Sequence, residues 1–198
     1  MPRLLAGLIA VAAWAGLAIR IIVSYNGDVI ATLWAVARYF TILTGLLAAL
    51  VMTAGVIGRR ISPFVLTGTT LASILVGVVY VILLRHELTG ARYVSNALLH
   101  YVVPTGMAAY WLAFGQKRGL SWRHPFAWML YPFAYFVYAL GRGAIDGRYP
   151  YPFMDLNQIS LLAAIRNGIA IAALFLLAGF ALVWVDSRRP LGSRGSSR

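Results

Sequence analysis

Long apolar runs alternate with short polar breaks along almost the whole chain. The runs lack the polar face of a surface helix, and they approach the roughly 20 residues a helix needs to cross about 30 Å of hydrocarbon. Six segments qualify: 4–24, 34–57, 63–84, 93–115, 125–142 and 159–185. The fifth is the shortest. The first passes Ala-Trp-Ala near Trp14 and continues to Ile22 and Val23. It therefore reads as an anchor rather than a cleaved signal. The pattern predicts an all-α fold, a polytopic membrane helix bundle with six transmembrane helices over residues 1–185. Residues 186–198, rich in Gly, Ser and Arg, read as a disordered basic cytoplasmic tail.

The polar breaks give the orientation. Arg3, Arg59, Arg60, Lys117, Arg118, Arg123 and the tail arginines together make ten basic residues on one side. The opposite side holds three: Arg85, Arg92 and Arg148. The positive side faces the cytoplasm, so both termini are expected there, in the cell (inner) membrane. Composition agrees with this picture. Only 11% of the 198 residues are charged, against about a quarter in a soluble domain. The net charge of +12 does not imply nucleic acid, because the basic residues are spread between apolar segments and the tail. With no cysteine and only three histidines, neither a disulfide framework nor a metal cage is expected, and no cofactor is called for.

Polar residues inside the apolar runs are the candidates for chemistry. The fourth segment contains Asn-Ala-Leu-Leu-His-Tyr-Val-Val-Pro at 96–104. Asn96, His100 and Pro104 are spaced by four, so they share one helix face. Pro104 has no N–H for the carbonyl of His100, which leaves an acceptor at membrane depth that only protein can satisfy. Counting at about 1.5 Å per residue, Thr41 and His100 each lie roughly 10 Å below the outer end of their segments. Arg166 lies at a similar count, beside Asn167. Arg20, Arg38, Thr44, Tyr138 and Arg142 fall in the same outer third. Intramembrane charges such as Arg38 and Arg166 mark candidate sites, whereas Arg20 and Arg142 can also snorkel to the headgroups. Pro132 should kink the fifth segment, and Trp122, Trp128 and Tyr149 fit an interfacial belt. Tyr-Pro-Tyr-Pro-Phe at 149–153 cannot be helical and is apolar enough to form a lid.

Four motifs carry a resemblance. They are Arg-Tyr-Phe-Thr at 38–41, the 96–104 stretch, Tyr-Pro-Phe-Ala-Tyr at 131–135 and Tyr-Pro-Tyr-Pro-Phe-Met-Asp at 149–155. Together they resemble the six-helix androgen-induced membrane protein family, whose bacterial branch is called Pr6Pr. Animal members are intramembrane threonine hydrolases of fatty-acid esters of hydroxy fatty acids. The resemblance implies a catalytic threonine at Thr41 and a catalytic histidine at His100.

Two readings follow. In the first, Thr41 attacks a lipid ester, His100 takes its proton, Asn96 or a nearby arginine holds the oxyanion, and Asp155 orients His100. In the second, the chain binds or transports a lipid without catalysis, with Arg38 and Arg166 gripping a headgroup or carboxylate. Both imply membrane lipids and a lipid-like small molecule as partners.

Overall fold

A computed structural model describes residues 1–115 and 119–188. They form α-helices α1 (Pro2–Ser24), α2 (Val29–Val36), α3 (Phe40–Val56), α4 (Pro63–Val79), α5 (Gly90–Ala97), α6 (Val103–Phe114), α7 (His124–Asp146) and α8 (Leu161–Arg188). Local chemistry explains several ends. Asp28 accepts from the amides of Ile30 at 2.8 Å and Ala31 at 3.1 Å, which starts α2. Ser62 caps α4 through the Val65 amide at 3.2 Å, and Pro63 takes the first position, where no N–H is needed. Gly147, at φ 69°, closes α7 in the left-handed region and donates to the Gly143 carbonyl at 2.8 Å.

Among the described residues, four helical stretches are long and apolar enough to cross a membrane: Pro2–Ser24, Pro63–Leu84, Gly90–Phe114 and Leu161–Arg188. The pair α2 and α3 would make a fifth crossing, bent by 98° between its halves. The expected continuous helix over 34–57 is therefore broken, although Ala37, Arg38 and Tyr39 include neither Gly nor Pro. Helix α7 has the length of a span, at 23 residues, but its Tyr, Pro and Gly content leaves it outside this group. Asp186 corrects the expected tail boundary. It is buried within α8 and accepts from the Leu120 amide at 3.2 Å. Ser187 and Arg188 continue α8, and residues 189–198 lie outside the described residues.

Two packed clusters hold the helices together. One joins α1, α3 and α6, where Ala6, Ala10 and Ala13 face Ala48, Ala49 and Met52. Lipid tails supply no hydrophobic drive between helices, so small side chains that permit close packing carry this contact. The other joins Phe40 at the start of α3 to Leu71, Leu75, Trp128 and Phe175 on α4, α7 and α8. Trp128 is not a belt residue. It is buried, with its indole N–H donating to the Phe64 carbonyl at 3.0 Å. The site described next lies where these two clusters meet.

Candidate functional site

Thr41 is the second residue of α3, just past the break. Its Oγ1 lies 3.1 Å from Nε2 of His100. The other imidazole nitrogen, Nδ1, lies 3.1 Å from the backbone carbonyl of Asn96. A carbonyl can only accept, so Nδ1 carries the hydrogen of the neutral ring. Nε2 is then left as the acceptor, aimed at the Thr41 hydroxyl. Asn96 thus meets His100 through its main-chain carbonyl.

The backbone around His100 is not a regular α-helix. Residues Leu98–Val102 form a π-helical turn between α5 and α6, and Tyr80–Leu84 form another at the end of α4. Such turns commonly mark functional sites. The missing N–H of Pro104 gives a local cause for the first, because the α-helical bond to the His100 carbonyl cannot form. That carbonyl instead packs against Gly77 of α4, where a Cβ would lie 3.0 Å from the oxygen. The buried Tyr80 ring covers the imidazole, with centroids 4.2 Å apart.

Arg38 sits in the break between α2 and α3 and is buried. Its Nη1 donates to Oδ1 of Asp146 at 2.9 Å, and its Nη2 to Oδ2 at 2.7 Å. Nη1 also donates to the Arg148 carbonyl. This bidentate pair ties the break to the end of α7. The Arg38 hydrogen bond holds the Asp146 carboxyl well below the usual carboxylate range. Arg142 joins the same cluster. It lies 3.6 Å from Asp146, donates to the Trp34 carbonyl at 2.5 Å, and stacks 4.0 Å from the Trp34 ring centroid. Arg142 therefore does not snorkel.

The 149–155 loop folds inward. Tyr149 packs on Gly143. Tyr151 and Phe153 stack at 5.1 Å, and Met154 is fully buried. Asn167 of α8 pins the loop by donating from Nδ2 to the Phe153 carbonyl at 2.9 Å. Burial pushes the Tyr151 phenol up, and the hydroxyl and amide of Thr41 oppose the shift, so the phenol oxygen lies against the start of α3. Beneath the loop is a cavity of about 620 Å³.

Two expected roles are corrected. Asp155 does not approach His100. It accepts from the Asn157 amide at 3.0 Å and the Gln158 side chain at 2.7 Å, closing its own turn. Arg166 is exposed on α8 and does not line the cavity, and Arg38 is committed to Asp146, so the pair expected to grip a carboxylate is not assembled. Asp146 was not singled out in the sequence, although its spacing of four from Arg142 was a signal for a helical ion pair. Among the described residues no three His, Asp or Glu side chains converge as a metal site. Set against models of known families, curated proteins and solved structures, the chain matches none.

Proposed function

We propose that this chain is a six-crossing protein of the cell (inner) membrane, with both termini cytoplasmic, and that it hydrolyses an ester bond of a membrane lipid. One observation carries the reading: the Thr41 hydroxyl faces Nε2 of His100 at 3.1 Å while the Asn96 carbonyl fixes the tautomer. A threonine hydroxyl is a weak nucleophile and needs a base within hydrogen-bond reach. An imidazole suits that task near neutral pH. The resemblance to intramembrane threonine hydrolases points to the same two residues.

In this mechanism Thr41 Oγ1 attacks the ester carbonyl carbon, and its proton passes to Nε2 of His100. The carbonyl oxygen becomes an oxyanion. In this reading its donors are the amides of Phe40 and Thr41, which open α3 and have no carbonyl partner within the helix. The ester C–O bond breaks, and the leaving alkoxide takes the proton from Nε2. Water then attacks the acyl-threonine, giving its proton to His100, and the fatty acid leaves as Thr41 recovers its hydrogen.

The test uses purified protein in detergent and a panel of lipid esters of varied chain length, with a fluorophosphonate probe as a second readout. Thr41→Ala and His100→Ala should each abolish turnover while thermal unfolding shows a folded bundle. Wild-type turnover by Thr41→Ala removes the nucleophile assignment. If the wild type turns over no ester of any length, lipid binding without catalysis takes the place of this reading.

A further inference from the structure

The cavity beside Thr41 has a shape that its chemistry makes specific. Its lining on α7 runs from Met129 to Gly141, about 18 Å along the helix. It is therefore a slot rather than a round pocket. Among the described residues, no charged side chain lines it. Arg38 and Arg142 both turn to Asp146 instead. A carboxylate or phosphate in this slot would lack a counter-charge, which is costly in an apolar site. The slot accordingly suits a chain without charge.

Its roof is shut by Tyr151, Phe153 and the fully buried Met154. Its side is not. Phe133 and Val137 on α7 and Ile165 and Ile169 on α8 line the slot, yet they are exposed by 60%, 55%, 40% and 64% respectively. In a bilayer that opening faces hydrocarbon. Gly141 lines one end of the slot, and a Cβ there would meet nothing within 4 Å. Gly168, on the opposite wall, has no such freedom, since its Cβ would lie 3.0 Å from the Phe136 ring. Room at the Gly141 end therefore depends on the absence of one side chain.

We propose that the slot holds one long hydrocarbon chain of a lipid with no charged group inside the slot, that the chain is admitted sideways between α7 and α8, and that Gly141 sets the chain length accepted. The bond presented to Thr41 rests on the hydrolase reading; occupancy of the slot does not.

The experiment is photo-crosslinking of the full chain in phosphatidylcholine vesicles. The probes are sixteen-carbon and eight-carbon alkyl esters with a mid-chain diazirine, and the sixteen-carbon free acid as a charged control. The expected result is adducts of the long ester concentrated on Phe133, Phe136 and Ile169. Unlabelled neutral ester should compete at least tenfold better than the free acid. Gly141→Phe should lower long-ester labelling at least fivefold and leave the short ester unchanged. Gly141→Val provides a smaller change should the larger variant misfold, and it should shift the length preference in the same direction. Adducts spread equally over other lipid-facing residues such as Leu4 and Ile82, or equal labelling by the free acid, would overturn the proposal. Slot adducts without turnover of any ester would remove the hydrolase reading and leave the slot standing. Turnover without slot adducts would do the reverse.

Discussion

At the scale of single residues, the hydroxyls on α3 have separate duties. Thr41 faces His100, while Thr44 lies 3.1 Å from the Tyr131 hydroxyl. Thr41→Ser should retain part of the turnover, because the hydroxyl stays and only a methyl group is lost. Steady-state kinetics on the same ester panel check this. Thr44→Ala should leave chemistry largely intact but cost about 1 kcal/mol of stability, by removing the partner of the half-buried Tyr131 hydroxyl. Thermal unfolding in detergent measures it. Asp146 makes a pH prediction. Its pKa is depressed by Arg38, so its contribution is complete above the unfolded value of about 3.9. It is lost only as pH falls through the lower folded value. Hydrogen exchange over 147–155 should therefore report a closed loop at pH 4 as at pH 7. Asp146→Asn should open the loop at pH 7, because it leaves the buried Arg38 without its anion.

At the scale of elements, the π-helical turn and the broken helix bring Thr41 and His100 into register. Gly77→Leu should push the His100 carbonyl away from α4 and reduce turnover more than it reduces stability, compared with Val11→Leu on α1 as an exposed control. Much of this was legible in the residues. The apolar runs located the helices, and the spacing of Asn96, His100 and Pro104 marked an irregular face. The break after Val36 was not legible, because no Gly or Pro announces it. It depends on Asp146, which is 108 positions from Arg38 in sequence, and on Tyr135, which donates to the Arg38 carbonyl at 2.8 Å. Local propensity carries no trace of such distant partners. Asp155 misled for the complementary reason: an acid near a site in sequence was satisfied by its own turn.

At the scale of the whole molecule, the proposed topology is open to a direct check. The chain has no native cysteine, so single cysteines report cleanly. A cysteine at Asn157 should react with an impermeant reagent applied outside, and one at Arg60 should not. Reversal of that pattern would overturn the orientation. The slot runs deep along α7 from Met129 to Gly141, which leaves the hydrolytic water to be explained. Helix α3 offers a route. In the proposed topology α3 crosses beyond the bend, and its 17 residues span about 26 Å at 1.5 Å each, short of a hydrocarbon layer of about 30 Å. A short span thins the leaflet around it, and thinning lowers the water boundary toward Thr41. Bilayer thickness then becomes a control on rate: turnover should rise in vesicles of shorter-chain phosphatidylcholine and fall in longer-chain ones, with the fold unchanged.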